Sequence, residues 1–266
     1  MAEVIDIDDP ADPRVDDFRD LNSADRRPDL PGRRGLVIAE GVVVVQRMLA
    51  SRFTPTALLG VDKRRVELAG DLADVAVPYY RTSAEVMAEV VGFHLNRGVL
   101  AVAHRPAPLS LDEVTAHART VAVLEGVNDH ENLGAMFRNA AGLGAEAILF
   151  GDRCADPLYR RAVRVSMGHV LRVPFASVPN WPDGLDILRH KGFQIIALTP
   201  DAKAMTLAAA MTGERVALLL GAEGPGLTEE AMRATDVRAR IPMSPGTDSL
   251  NVATAAAMAF YERVRT

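Results

Sequence analysis

The apolar positions of this chain fall into two successive series of short strands and helices. From residue 35 onward, short apolar runs alternate with segments whose apolar positions repeat at helical spacing, which is typical of α/β domains. In the first series the predicted strands are 35–39, 57–61, 78–81 and 98–104. The predicted helices between them are 40–50 and 83–91. This series predicts a small α/β domain.

A second, longer series follows the sequence Arg105-Pro106-Ala107-Pro108, in which two prolines disfavour both helix and sheet and so predict a linker. We expect a lead-in helix at 109–120. The predicted strands are 121–125, 145–150, 175–178, 194–199, 216–221 and 239–242. The predicted helices are 133–143, 158–166, 184–190, 228–234 and 249–263. Strands rich in Val, Ile and Leu that alternate with helices predict a parallel sheet covered on both faces.

The N-terminal residues differ from both series in their charge. Residues 1–31 are rich in Asp and hold ten acids against four arginines, so this segment has a net charge of −6. The whole chain has a net charge of −5. They show little periodic apolar pattern, so we expect an acidic, flexible arm at 1–31, followed by domains at 32–106 and 107–266. Residues 32–266 then carry a net charge of +1, and any contact with nucleic acid must use local basic patches.

Two arginine runs are the candidates for such patches. The candidate residues are Arg64, Arg65, Arg160, Arg161 and Arg164. Each run is equally compatible with an ordinary solvated surface.

Composition narrows the class of protein. With 266 residues, 48% of them hydrophobic and 24% charged, the chain has the profile of a globular protein. The single cysteine, Cys154, excludes an internal disulfide, and no Cys/His cluster has the spacing of a zinc site. The acidic N-terminus lacks the apolar core of a signal peptide, and the longest apolar runs are too short to span a bilayer. We expect a cytoplasmic protein that needs no metal and no membrane.

Ligands of open α/β sheets bind at the carboxyl ends of strands, and three predicted strand ends carry polar motifs. In the first motif, Asn132 stands at a helix start, where its amide can cap free N–H groups, and Gly134 lets a ligand approach the backbone. Arg138 lies one helical turn after Gly134, on a face that we expect to be otherwise apolar because of Met136 and Phe137. A capped helix with an arginine at its rim is the plainer interpretation.

The second and third motifs are loops. In the second, an apolar strand leads into Gly221, Glu223, Gly224 and Gly226, a loop that offers backbone groups to a small ligand or simply makes a tight turn. In the third, the prolines and glycine of residues 241–248 build a rigid loop, and Ser249 and Asn251 open the last helix. Asp248 or Ser249 is the expected cap of that helix.

Two other glycine patterns suggest nucleotide binding and fail on inspection. The sequence from Gly142 to Ala147 matches a relaxed dinucleotide fingerprint, but it follows a helix and precedes a strand, the reverse of the required order. The sequence from Gly221 to Thr228 is one residue away from a phosphate-binding P-loop. Leu227 occupies the position of its lysine, so the contact to the outer phosphates is missing.

Taken in order, the three motifs resemble those of the SpoU/TrmH family of RNA ribose methyltransferases. The matching residues are Asn132, Gly134, Arg138 and Ala140 in the first motif; Gly221, Glu223, Gly226 and Leu227 in the second; and Ile241, Pro242, Met243, Ser249, Leu250, Asn251 and Val252 in the third. The resemblance covers about residues 118–266, and a fainter likeness to a fused substrate-binding domain covers the first series. His130-Glu131 departs from the family pattern, in which a proline is frequent before the asparagine.

The resemblance implies a fold and an activity. It implies that residues 107–266 form a parallel-sheet catalytic domain with a trefoil knot, preceded by a small α/β domain at 32–106 that binds the RNA substrate. It implies a homodimer with its active site at the dimer interface. The implied reaction transfers a methyl group from S-adenosylmethionine to a ribose 2′-hydroxyl of rRNA or tRNA.

The resemblance also assigns residues to roles. The implied catalytic residues are Asn132, Arg138, Glu223, Ser249 and Asn251. The implied cofactor-binding residues are Thr199, Leu220, Gly221, Gly226, Ile241, Met243 and Leu250. Because a guanidinium stays protonated, we expect Arg138 to grip a phosphate and stabilise the developing alkoxide, although a phosphate-activated arginine base stays open. The alternative function is a non-catalytic RNA-binding or ribosome-assembly factor on the same scaffold; the intact Arg138, Glu223 and Asn251 argue against it.

Overall fold

The computed structural model describes residues 2–23 and 35–265, and residues 1, 24–34 and 266 lie outside the description. Within the described residues, the strands in chain order are β1 (Glu3–Asp6), β2 (Leu36–Glu40), β3 (Pro55–Gly60), β4 (Pro78–Arg81), β5 (Val99–His104), β6 (Thr120–Glu125), β7 (Ala147–Phe150), β8 (Phe175–Ser177), β9 (Phe193–Leu198), β10 (Met205–Thr206), β11 (Arg215–Gly221) and β12 (Val237–Arg240).

The helices of the same residues frame these strands. They are α1 (Val42–Leu49), α2 (Asp62–Glu67), α3 (Ala84–Val91), α4 (Leu111–Thr115), α5 (His130–Leu143), α6 (Arg160–Val165), α7 (Leu185–His190), α8 (Leu207–Ala210), α9 (Glu229–Arg233) and α10 (Val252–Arg265), with short 3-10 helices at Pro13–Phe18 and His169–Leu171. The chain divides into two compact units, one of Met1–Ala107 with Pro157–Arg172 and one of Pro108–Asp156 with Val173–Thr266.

The first unit is built on a mixed five-stranded sheet of order β1-β4-β3-β5-β2. β5 runs antiparallel to both β2 and β3, whereas β3, β4 and β1 are parallel to one another. β2 and β5 are almost entirely apolar, because both faces of this part of the sheet are buried. The small α/β domain expected from the first series is therefore a mixed sheet with helices.

The N-terminal segment belongs to this unit, and the expected flexible arm is wrong for the residues described. β1 pairs in parallel with β4, and Val15, Phe18 and Leu21 are fully buried in the hydrophobic core of the unit. Burying such side chains stabilises the fold by about 1.5–3 kcal/mol each, and together with the pairing of β1 and β4 it ties the Asp-rich segment to the unit. The last part of the predicted arm, 24–31, lies outside the described residues.

The segment Pro157–Arg172 also belongs to the first unit, so the prediction that 107–266 forms one continuous domain needs correction. Ala162 and Val163 of α6 are completely buried, and α6 packs on β2. A Cβ atom at Gly168 would lie 3.1 Å from Val44 Cγ1, which shows how closely this segment approaches α1. Its apolar face and its contacts with β2 and α1 therefore fix the segment in the first unit.

The second unit carries a seven-stranded sheet of order β10-β12-β9-β11-β6-β7-β8, in which every pair of neighbours is parallel. β6 and β7 are buried along their whole length, and β11 is buried except at its two end residues, as expected for a sheet covered on both faces. The predicted parallel α/β fold is thereby confirmed. The trefoil knot that the resemblance implies stays a prediction.

The helix that leads into this sheet is shorter than expected. Only Leu111–Thr115 is helical, opened by a capping box in which Ser110 and Glu113 satisfy each other's backbone N–H groups. β6 then begins at Thr120. The last helix, α10, packs against α5, and Asn139 Nδ2 donates to the Ala253 carbonyl at 2.9 Å.

Candidate active site

Three neighbouring parallel strands end at one edge of the second unit's sheet. β12, β9 and β11 lie side by side, so their carboxyl ends and the loops that follow meet at the same place. The end of β9 is tied to β12 by a hydrogen bond from the Thr199 N–H to the Ala239 carbonyl at 2.9 Å. Such an edge is where open α/β sheets bind ligands.

A cavity of about 390 Å³ opens at this edge. Its lining is mostly apolar and glycine, with a few polar groups, which is the usual make-up of a small-molecule site. The lining residues are Leu198, Thr199, Pro200, Leu220, Gly221, Ala222, Glu223, Gly224, Gly226, Ile241, Met243, Ser249, Leu250, Asn251, Val252 and Ala255.

The structure brings most of the sequence-derived site residues together around this cavity. All seven residues named for the cofactor line it, as do Glu223, Ser249 and Asn251 of the catalytic set. The predicted site residues do not include the further lining residues Leu198, Pro200, Ala222, Gly224, Val252 and Ala255. Each of them lies within a few positions of a predicted site residue at the same strand end or helix start, so extending each predicted segment would have found them.

The loop after β11 folds back tightly on itself. The Gly226 N–H donates to the Ala222 carbonyl at 3.0 Å, and Ala222 and Gly226 form an isolated β-bridge. A Cβ atom at Gly221 would lie 2.3 Å from both Gly226 C and Leu227 N. Only glycine fits at that point, so the loop returns across the end of its own strand and presents its backbone to the cavity.

Asn251 is the centre of the polar network at the cavity. Its Oδ1 accepts from the N–H groups of Ala253 and Thr254 at 3.0 and 3.1 Å, so Asn251 caps α10. Its Nδ2 donates to Asn132 Oδ1 at 2.7 Å and to Glu223 Oε1 at 2.6 Å. One side chain from the third motif thereby joins the first and second motifs.

This network corrects two predictions about helix caps. The last helix begins at Val252, so Asn251 is its cap instead of Asp248 or Ser249. The cap of α5 is Asp129, whose Oδ1 accepts from the N–H groups of Glu131 and Asn132 at 2.9 and 2.8 Å. Asn132 therefore does not cap the helix, and its amide oxygen accepts a hydrogen bond from Asn251 Nδ2 instead.

Arg138 lies on α5 but does not line the cavity of its own chain. The expected apolar surroundings are wrong: Met136 and Phe137 are buried, whereas Arg138 is exposed. The buried face of α5 follows Leu133, Met136, Phe137 and Ala140, and Arg138 falls outside it. Among the residues described, Arg138 forms no hydrogen bond or ion pair, and its guanidinium is available to a ligand.

The arginines named for RNA lie in the first unit and have different environments. Arg64 pairs with Glu67 at 2.6 Å and Arg65 with Asp62 at 2.7 Å, both on the surface of α2. Arg161 and Arg164 line a second cavity of about 370 Å³ together with Leu21, Asn22, Ser23, Tyr159 and Arg160.

Arg160 is not part of an open basic surface, which corrects its place in the predicted patch. Its side chain is only 15% exposed, and Nη1 donates to Glu40 Oε2 at 2.9 Å, where Glu40 is itself 5% exposed. Its guanidinium also lies 5.0 Å from the Phe93 ring centroid. This geometry assigns Arg160 a structural ion pair, because a buried carboxylate needs a partner.

Two features are absent from the residues that the structure describes. In ranges 2–23 and 35–265, no group of three or more His, Cys, Asp and Glu side chains is placed to hold a metal ion. No helix of the described chain has the length and apolarity to cross a membrane.

A family model described as "SpoU rRNA Methylase family" matches residues 119–261, which is more than half of the chain. The matched range runs from the start of β6 into α10, and so contains all three motifs and the entire cavity.

Relatives resemble the chain over nearly its whole length. It is 67% identical over 266 residues to a protein of Mycobacterium bovis named an uncharacterized tRNA/rRNA methyltransferase, covering 99% of this chain and 92% of the relative. It is 28% identical over 250 residues to the 23S rRNA (guanosine(2553)-2′-O)-methyltransferase RlmP of Bacillus subtilis, covering 93% and 94%.

A solved structure has a similar fold. The AdoMet-bound rRNA methyltransferase from Sinorhizobium meliloti matches with a TM-score of 0.82 at 25% identity, covering 98% of each chain. AdoMet is S-adenosylmethionine, the cofactor of this family.

Proposed function

The chain belongs to the SpoU rRNA methylase family, and from this premise we propose that it transfers the methyl group of S-adenosylmethionine to a ribose 2′-hydroxyl of rRNA or tRNA. As a member of this family it is an RNA methyltransferase, and the proposal is that the methyl group is transferred to a ribose oxygen and not to a base. One observation carries that part: Asn132, Glu223 and Asn251 of three separate motifs form one hydrogen-bonded network at the cavity. The relative from B. subtilis, named as a 2′-O-methyltransferase, supports it.

The cavity fits the cofactor by its size and lining. Its volume of about 390 Å³ is within the range of small-molecule sites. We assign the apolar adenosine portion to Leu220, Ile241 and Leu250 and the polar edges to backbone groups at Thr199, Gly221, Gly226 and Met243. When bound, S-adenosylmethionine supplies the electrophilic methyl group.

The hydrogen bonds around Asn251 fix which polar atoms remain for substrate. Because Asn251 Oδ1 is taken by the helix cap, its Nδ2 must be the group that faces Asn132 and Glu223. Asn132 Oδ1 therefore accepts, and Asn132 Nδ2 remains a donor for a ribose or phosphate oxygen. Glu223 keeps one carboxylate oxygen, Oε2, for a hydroxyl donor. The network thus offers one donor and one acceptor, which suits a ribose.

Arg138 supplies the positive charge in the proposed reaction. A guanidinium stays protonated in proteins, so we assign Arg138 to the phosphate next to the target ribose and to the negative charge that develops on the 2′-oxygen as its proton passes to water. Holding the 2′-oxygen in line with the methyl group contributes up to about 7–11 kcal/mol to lowering the barrier. Ser249, at the cavity wall, shapes the space for the ribose.

We propose that two copies of the chain assemble to complete the site. Arg138 is exposed and absent from the cavity of its own chain, so a second copy is the natural source of the guanidinium at each cavity. Helix α10 carries the exposed apolar side chains Met258, Tyr261 and Val264, which offer a surface for that copy. The assembly is tested by sedimentation of the purified protein over a range of concentrations.

The experiment that tests the function combines binding and product mapping. Calorimetry with S-adenosylmethionine is expected to show one site per chain, and incubation with RNA from cells lacking the gene is expected to yield a 2′-O-methylated nucleotide that resists alkaline hydrolysis. Binding without transfer to any RNA, or no binding at millimolar cofactor, favours the non-catalytic RNA-binding or assembly factor. A methyl group found on a base would overturn the ribose assignment.

A further inference from the structure

Glu125 is a buried carboxylate that the proposed chemistry does not use. It is the last residue of β6 and is 1% exposed. It is absent from the lining of the cavity. In the parallel sheet it stands in register with Gly221, the last residue of β11, at which the cavity loop begins.

Three donors converge on this carboxylate. Trp181 Nε1 donates to Oε1 at 2.7 Å, Thr228 Oγ1 donates to the same oxygen at 2.8 Å, and the Thr228 N–H donates to Oε2 at 2.8 Å. Over the described residues no basic side chain pairs with Glu125, so neutral donors alone satisfy it. An ionised carboxylate only accepts hydrogen bonds, and a buried one is tolerated when its oxygens are satisfied in this way.

These bonds close the cavity loop at both ends. The loop leaves the sheet at Gly221, beside the Glu125 backbone, and ends at Thr228, which the Glu125 side chain holds and which caps α9. Between these points lie Ala222, Glu223, Gly224 and Gly226, all of which line the cavity. The loop also rests on the next residue, since a Cβ atom at Gly126 would lie 3.1 Å from Ala222 Cβ.

We propose that Glu125 is a positioning residue for the cofactor, which holds the loop from Gly221 to Thr228 in its binding conformation without touching the ligand. A loop that is ordered before binding loses less conformational freedom when the ligand arrives, and affinity rises accordingly. The inference rests on the proposed cofactor site. The proposed role depends on the two hydrogen bonds between Glu125 and Thr228. The bond to Trp181 connects Glu125 to a different loop, the one that follows β8.

The test compares Glu125→Gln, which keeps the side-chain volume, with Trp181→Phe, which keeps an aromatic ring. Glu125→Gln replaces one oxygen by an NH₂ group, which must face a donor: either the Thr228 N–H or the pair of donors at Oε1. We expect the Kd for S-adenosylmethionine to rise about tenfold or more, the factor that corresponds to losing a hydrogen bond to a buried charge. Trp181→Phe removes the indole donor and one ring but leaves both bonds from Thr228 to Glu125, and its Kd is expected to stay within about twofold of the original protein.

A second readout does not depend on the cofactor. Hydrogen exchange of the amides from Ala222 to Gly226, measured without ligand, is expected to accelerate in Glu125→Gln and to remain unchanged in Trp181→Phe. An unchanged Kd together with unchanged exchange in Glu125→Gln would overturn the proposal. If the original protein does not bind S-adenosylmethionine at all, the proposed site fails, and the exchange data still decide whether Glu125 orders the loop.

A matched pair at Thr228 covers the case in which Glu125→Gln does not fold. Thr228→Ser keeps both donors to Glu125 and is expected to bind the cofactor normally. Thr228→Val keeps the shape but removes the hydroxyl that bonds Glu125 and caps α9, and its Kd is expected to rise about threefold or more, with faster exchange in the loop. Equal affinities and exchange rates for the two variants would count against Glu125 as a positioning residue.

Discussion

Asn251 Nδ2 lies 2.7 Å from Asn132 Oδ1, although 119 residues separate them in the chain. The same amide caps α10 through its oxygen, so its orientation is fixed by the helix and not by the ligand. The position of Asn132 is therefore set before substrate arrives. Such pre-organisation is what a site needs when its rate depends on alignment.

Exchanging the amide of Asn251 for a carboxylate separates its two roles. Asn251→Asp keeps an oxygen for the helix cap, so the free energy of unfolding should change by less than about 0.5 kcal/mol. It loses the donor to Asn132 and sets a second carboxylate against Glu223, and methyl transfer should fall on the order of 10²-fold. Asn251→Ala, which also loses the cap, should cost about 1 kcal/mol of stability in addition. Equal transfer by Asn251→Asp and the original protein would contradict this role.

Removing the guanidinium of Arg138 should slow methyl transfer strongly and leave the fold unchanged. Arg138 is exposed and makes no hydrogen bond or ion pair among the described residues, so Arg138→Ala should melt normally and bind S-adenosylmethionine with unchanged Kd. Transfer of labelled methyl groups to RNA should drop about 10²–10³-fold. Arg138→Lys should recover little, since an ammonium lacks the planar fork. Arg233→Ala, on the exposed side of α9, is the control and should transfer normally.

The ion pair between Arg160 and Glu40 makes a prediction about stability. Arg160→Ala leaves the buried Glu40 carboxylate with Arg97, 3.8 Å away, as its remaining cation, and the free energy of unfolding should fall by about 1–3 kcal/mol, measured by urea unfolding followed by circular dichroism. Arg161→Ala, one residue later and exposed, should change stability by less than about 0.5 kcal/mol. If Arg160→Ala unfolds like the original protein but binds RNA more weakly, Arg160 is an RNA contact after all.

The tight return of the cavity loop predicts that Gly221 accepts no side chain. In Gly221→Ala the new Cβ would lie 2.3 Å from backbone atoms of Gly226 and Leu227, so the loop must open. Cofactor affinity, measured by calorimetry, should fall at least about tenfold. Gly142→Ala is the matched control, because a Cβ there meets nothing within 4 Å. It should leave binding intact and stabilise α5 by about 0.5–1 kcal/mol.

Cys154 should react slowly with alkylating reagents near neutral pH, because little of its thiol is in the thiolate form. Burial raises the pKa of the Cys154 thiol above its ordinary value, and Sγ donates to the Leu124 carbonyl at 3.2 Å. Since the thiolate is the reactive form, a raised pKa lowers the reactive fraction near neutral pH, and the rate increases as the pH approaches that pKa. Alkylation followed by mass spectrometry should be slower in the folded protein than in urea. Equal rates at about pH 8 would contradict the shift.

The sequence predicts the parallel sheet well because its strands are continuous apolar runs. β11 begins one residue before its predicted start and ends where predicted, and β9 is displaced by one residue at each end. The three motifs also predict the cavity wall, because motif residues at the ends of parallel strands must meet at one edge. Here local pattern and global fold agree.

Features that depend on distant partners escape such reasoning. The sequence predicts Asn132 as a helix cap, whereas its amide oxygen accepts a hydrogen bond from Asn251. It predicts Arg160 as a surface arginine, whereas Arg160 pairs with Glu40, which lies 120 residues away in the chain. Glu125 shows the same limit, since its partners lie 56 and 103 residues further along the chain. In the N-terminal segment, the many Asp residues predict a flexible arm, although the spaced apolar residues Val15, Phe18 and Leu21 are buried.

The first unit cannot be separated from the second by a single cut in the chain, because it is made of two separate stretches of sequence. Because Pro157–Arg172 completes that unit, a fragment cut at the proline linker would lack α6 and leave Glu40 buried without Arg160. A chimera that exchanges the small unit between relatives must therefore carry two separate stretches of sequence. The residues immediately before and after Pro157–Arg172 both belong to the second unit, so such a chimera must be joined at both ends of this segment.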